Sequence, residues 1–160
     1  MPSRRDSGPL GFPSRLSISM KLCFQDSIET RPVNSPHSCV NSLDRRDPNA
    51  CLVKLRIKGV FDGSTFNHWL INYALDKHVK EIYLFDDSYV DTSLPQRMFC
   101  ANSIQVLELK VEVPDLILSC PLIEDFRVTH CSGLKSIRVS RAKKLKVVKH
   151  QERYQMIQFI

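Results

Sequence analysis

A six-residue pattern returns along this chain. Residues 52–57 read LVKLRI, apolar at the first, fourth and sixth positions. The template recurs as VKEIYL at 79–84, IQVLEL at 104–109, IEDFRV at 123–128 and LKSIRV at 134–139, and a partial copy, LKVV, begins at Leu145. In an extended chain positions four and six fall on one side, positions three and five on the other. A single strand of this kind cannot bury its apolar side alone. Stacking the copies in parallel gives each one a neighbour above and below.

The copies start at Leu52, Val79, Ile104, Ile123, Leu134 and Leu145. The first three steps are full ones, and the last two are half-steps that together make one more. Repeats of roughly 20–27 residues have the period of leucine-rich repeats. The match is longest at 123–134, where Ile123, Phe126, Val128, Cys131 and Leu134 occupy positions 1, 4, 6, 9 and 12. Position nine of that template is Asn or Cys. A small polar or thiol side chain there suits the tight turn that leaves the strand. The half-steps leave no room for helices, so the run at 134–139 is expected on the opposite, convex side. The runs at 123–128 and 145–148 then become neighbours in the main sheet. The predicted fold is α/β: a short, irregular leucine-rich-repeat solenoid with a parallel sheet over residues 51–150.

One helix is predicted near 64–77. Phe66, Trp69, Leu70, Tyr73 and Ala74 recur at helical spacing, with Trp69 as the expected core anchor. Asp62-Gly63-Ser64-Thr65 offers a turn and an N-cap, and Lys77 and His78 sit where the helix dipole favours positive charge. Residues 1–50 read as a disordered or weakly structured tail, with prolines at 2, 9, 13, 32, 36 and 48. Within it Leu16–Phe24 alternates at period two, as a lone strand added to the domain edge would. Residues 151–160 are expected to extend the edge of the main sheet or to fray.

The net charge of +6 is unevenly placed, with residues 135–160 holding eight basic residues against one acid. Lys135, Arg138, Arg141, Lys143, Lys144, Lys146 and Lys149 form the basic strip. It offers a nucleic-acid-binding surface as an alternative function. The strip lacks interleaved aromatics for base stacking, so nucleic acid is the weaker expectation and a solvated face the simpler one. The six cysteines form no CxxC pair and are expected to be reduced, which points to the cytoplasm or nucleus. No run of apolar residues approaches the length of a membrane span, so no membrane partner is expected.

The sequence holds no G-x-G-x-x-G, G-x-x-x-x-G-K-[ST], H-E-x-x-H or G-x-S-x-G signature. The adjacent acids Asp86-Asp87 and Glu124-Asp125 point to opposite faces of a strand and make poor acid–base pairs. His130 beside Cys131 is not a nucleophile and its base without a fold that joins them. No enzyme activity, cofactor or metal site is expected.

The order of residues over about 52–150 resembles the plant F-box/FBD/leucine-rich-repeat family. The features that carry the likeness are Trp69 and Ala74 before the strand 79–84, then Leu94-Pro95 with Phe99 before the strand 104–109. Cys120-Pro121-Leu122 follows, leading through Phe126 and Val128 to Cys131, Gly133 and Leu134. The resemblance implies recruitment of a protein target to a cullin-type ubiquitin ligase, with docking on a Skp-type adaptor through an F-box. Residues 1–50 depart from that pattern, since they contain no compact helical segment with a Leu-Pro opening. The adaptor is therefore a partner only if another docking element exists. A fragment, a truncated product without independent function and a stand-alone repeat protein all fit this departure. The candidate protein-binding surface is template position five: Arg56, Tyr83, Glu108, Arg127 and Lys149, one per repeat.

Overall fold

The computed structural model describes residues 17–22, 28–30, 51–59, 65–86, 94–111, 113, 115–131, 134–150 and 156–159. The protein is α/β, with a mostly parallel sheet and, among the described residues, one α-helix. The strands are β1 (Ser17–Leu22), β2 (Ile28–Thr30), β3 (Leu52–Gly59), β4 (Glu81–Asp86), β5 (Val106–Lys110), β6 (Asp115–Leu118), β7 (Asp125–Val128), β8 (Ser136–Val139), β9 (Val147–His150) and β10 (Met156–Phe159). The helix α1 spans Thr65–Asp76, and a 3-10 helix spans Gln96–Cys100.

The main sheet has the order β2-β1-β3-β4-β5-β7-β9, and a three-stranded sheet has the order β10-β8-β6. From β3 onward every pairing is parallel, and the chain leaves the main sheet between strands to return along the other layer. The return elements are α1, the 3-10 helix, β6 and β8, and β10 follows β9. Lys54, Glu81, Val106, Asp125 and Val147 stand in register across the main sheet and mark the circuits. The two circuits from Lys54 to Val106 are longer than the two from Val106 to Val147. Circuit length selects the return element. A helix advances only about 1.5 Å per residue against about 3.3 Å for a strand, so the longer circuits have residues to spend on helices and the shorter ones return extended.

The template accounts for the core. All fifteen residues at its first, fourth and sixth positions, from Leu52 to Val139, are buried, and they join Leu70, Ile71, Met98, Leu116 and Leu118 of the return layer in one cluster. A backbone ladder ties the circuits together at template position two. The amides of Lys80, Gln105, Glu124 and Lys146 donate to the carbonyls of Val53, Lys80, Gln105 and Glu124, at 3.1, 2.7, 2.8 and 2.8 Å. The run at 134–139 lies in the second sheet as β8, and β7 pairs directly with β9.

Four expectations are corrected. Residues expected to be tail form β1 and β2. The strand expected over Leu16–Phe24 is there as β1, added antiparallel to β3 with Ile18, Met20 and Leu22 opposite the buried Ile57, Leu55 and Leu52, but it is not alone, because β2 pairs with its other side. The C-terminal segment does not extend the main sheet, because β10 pairs with β8. Trp69 is not a core anchor but 42% exposed, and α1 buries Leu70, Ile71, Ala74 and Leu75 instead. The helix carries two apolar stripes that share Leu70 and Ala74. The aliphatic one fills the interior, while Trp69 stacks on Tyr73 outside it, ring centroids 5.7 Å apart. Finally, Cys51 is disulfide-bonded, against six reduced thiols, while Cys100, Cys120 and Cys131 are free. The N-cap expected at 62–64 lies outside the described residues.

Candidate functional site

Strand register brings the five position-five residues into one row. Arg56 pairs with Tyr83, Tyr83 with Glu108, Glu108 with Arg127 and Arg127 with Lys149. Because side chains alternate across a strand, this row and its neighbours two residues away share the outer face of the sheet. Arg56 is exposed, and Tyr83, Glu108 and Arg127 are half-buried. For Lys149 only the backbone position is described.

The row is wired into its neighbours. The Arg127 guanidinium donates from Nε to Asp125 Oδ1 at 3.0 Å, donates again to Asp125 Oδ2, and lies 3.7 Å from Glu108. These charge-assisted bonds satisfy Arg127 within the protein. The Tyr83 hydroxyl donates to Glu81 Oε2 at 3.1 Å. Burial, then the Glu81 charge and the bond to it, push the Tyr83 phenol up to about 12, so it stays protonated at neutral pH and remains a donor. Lys54 Nζ lies 3.4 Å from Glu81 and 4.4 Å from the centre of the Tyr83 ring, and the Arg56 guanidinium lies 5.1 Å from the centre of the Phe85 ring. The site also takes in Lys54, Lys58, Glu81, Phe85 and Asp125, which position five alone does not name. Their signal was present, since positions three and seven of the template face the same way as five.

The basic strip is divided between the two sheets. Arg138 lies on β8 in the second sheet, and Arg141, Lys143 and Lys144 are exposed in the turn that follows. Lys146 pairs with Glu124 at 2.6 Å, and Lys149 belongs to the main sheet. Of the acidic pairs, Asp86 is buried, Asp125 binds Arg127, and the bond from Lys146 holds Glu124 below the usual carboxylate range. Asp87 lies outside the described residues. His130 is exposed with a φ of 56°, while the buried Cys131 directs its thiol at the Val111 carbonyl, 2.6 Å away. Among the described residues no group of three or more His, Cys, Asp or Glu could hold a metal ion, and no helix is long and apolar enough to cross a membrane.

The outer face therefore carries charged and aromatic side chains held by hydrogen bonds, ion pairs and ring contacts. Comparison with protein-family models, with curated proteins and with solved structures finds no match.

Proposed function

We propose that this protein is a protein-binding module of the leucine-rich-repeat kind, and that the outer face of its main sheet holds the partner. The observation that carries this reading is the row Arg56–Tyr83–Glu108–Arg127–Lys149, one residue from each of five consecutive strands of the parallel sheet. Mixed charge with a half-buried tyrosine suits a protein interface, where Tyr and Arg supply much of the binding energy. Three further features support an irregular solenoid. They are the recurring circuits from Lys54 to Val147, the position-two backbone ladder, and the buried Cys131 thiol bonded to a carbonyl of the preceding circuit. In such a solenoid each circuit buries its apolar side only against its neighbours.

The narrower reading is a substrate-recruiting part of a cullin-type ubiquitin ligase adaptor. It rests on the resemblance of residues 52–150 to the plant F-box/FBD/leucine-rich-repeat family. The packing is compatible with it: Cys120, Phe126, Val128, Cys131 and Leu134 of the resembling segment are all buried.

The test is affinity purification of the tagged chain from plant cells, read by mass spectrometry, beside a Glu108→Arg variant. Proteins captured by the parent chain and lost with the variant support the binding face. Recovery of a Skp-type adaptor and a cullin supports the ligase reading, and capture of other proteins without them removes it. Identical capture by both chains overturns the binding face.

A further inference from the structure

We infer that the β3 side of this face recognises an extended acidic peptide whose carboxylates fall on alternate residues, an inference that rests on the binding-face reading above. The basis is a step-like arrangement on β3 and β4. Lys54, Arg56 and Lys58 are alternate residues of β3, in register with Glu81, Tyr83 and Phe85 of β4. Each of the first two leans to the ring one step further along: Lys54 to Tyr83, which is in register with Arg56, and Arg56 to Phe85, which is in register with Lys58.

The three cations are not equivalent. Lys54 is engaged by Glu81 at 3.4 Å. Arg56 and Lys58 are both exposed, and among the described residues neither has a carboxylate partner. A guanidinium resting on a ring keeps its forked N–H edge for a carboxylate, so Arg56 is ordered before any ligand arrives. Ordering a long side chain in advance lowers the entropic cost of binding. Arg56 and Lys58 project from β3 about 6.6 Å apart, and the alternate residues of an extended peptide repeat at the same interval of about 6.6 Å. A peptide laid along β3 thus matches cation to carboxylate, with the Phe85 ring as an apolar shoulder.

A nucleic-acid strand fits less well. Its phosphates would continue across Glu108 and Asp125 on the same face, whereas a peptide can carry other residues there. The Tyr83 and Phe85 rings each have a cation over them, which competes with base stacking.

The experiment is fluorescence anisotropy of the full chain with a short labelled peptide of alternating glutamate and alanine, at fixed ionic strength. The expected result is saturable binding that vanishes for the glutamine–alanine peptide and weakens about 10-fold or more in Arg56→Gln or Lys58→Gln, the loss of a charge-assisted contact. Arg56→Lys, which keeps the charge but loses the fork, should fall between. Arg138→Gln, on the second sheet, should change nothing. The inference is overturned by no binding, by binding that ignores Arg56→Gln and Lys58→Gln, or by a homopolymeric RNA that binds more tightly through the same two residues. Proteins captured by the parent chain and lost with Glu108→Arg would still support the binding face in all three cases, so the two failures are distinguishable.

Discussion

The first two circuits and the later ones solve the same problem with different elements. Both place a strand in the main sheet and must bring the chain back to begin the next one. The longer two, Lys54 to Glu81 and Glu81 to Val106, return through α1 and the 3-10 helix. The shorter two, Val106 to Asp125 and Asp125 to Val147, return through β6 and β8. The main-sheet strands do not register the change. Leu55, Ile82, Leu107 and Phe126 stand in register and are all fully buried. The main sheet thus keeps one geometry along the molecule, while circuit length is absorbed on the other side.

The seam between the two kinds of circuit gives the largest expected effect. There the Ser119 amide donates to the Phe99 carbonyl at 2.7 Å, and the Cys120 thiol lies 3.4 Å from the Met98 carbonyl. Burial pushes the Cys120 thiol up to about 12 from its ordinary 9.0, while Cys100, on the helical side of the seam, is exposed. At pH 8 about one Cys120 in 10⁴ would be thiolate, the reactive form. Iodoacetamide at pH 8 with mass-spectrometric readout should therefore label Cys100 quickly and Cys120 slower by orders of magnitude, until denaturant makes the two alike. Equal rates in the folded protein would mean that the seam is open and the two halves do not share a core.

Next come the two large aromatic residues that distinguish the halves. Phe126 lies in the strand-return half, fully buried, and Phe126→Ala should cost about 3–5 kcal/mol in denaturant unfolding. Trp69 lies on α1, largely outside the core, and Trp69→Ala should cost about 1 kcal/mol, mainly the lost stack on Tyr73. A Trp69 variant as damaging as the Phe126 one would restore the core role that helical periodicity alone assigns to it.

These particulars show what was readable in the residues. The main-sheet register was legible because the apolar template recurs on every strand from β3 to β5 and again on β7, and the skip over 134–139 followed from a half-step too short for a helix. The return layer was less legible. β6 belongs to a copy of the template too, VPDLIL at 113–118 with Val113, Leu116 and Leu118 all buried, but it starts only nine residues after Ile104 and carries Pro114 at its second position, so it was not counted among the copies and the second sheet had no recognised first member. Without it, the nearly equal steps from Asp115 to Ser136 and from Ser136 to Met156, which assign β10 to that sheet, could not be counted. Trp69 was misplaced because two stripes of one helix fit the same period, and only tertiary packing chooses between them. For the site, the row was legible from alternation, but the lean of Lys54 and Arg56 toward rings one step along depends on side-chain geometry that no pattern encodes.

The smallest effect tests how the helical circuit is closed. Helix α1 ends with the His78 amide donating to the Leu75 carbonyl at 3.0 Å and the Val79 amide to the Ala74 carbonyl at 3.1 Å, the paired bonds of a Schellman motif. The motif needs a left-handed residue, normally glycine, and here His78 takes it with a φ of 56°. A side chain with a Cβ in that conformation costs about 1–2 kcal/mol, part of which glycine returns through the greater freedom of its unfolded chain. His78→Gly should therefore stabilise the protein by about 0.5–1 kcal/mol, a rise in Tm of a few degrees at this chain length. His78→Val should lower Tm, since a branched side chain is worse in that region. His130, at a φ of 56° after β7, provides the matching site in the strand-return half. Equal gains from His78→Gly and His130→Gly would show that the backbone conformation alone sets the effect. A gain at His78 alone would tie it to the helix cap, and no gain at either site would mean that the histidine side chains offset the strain through contacts of their own.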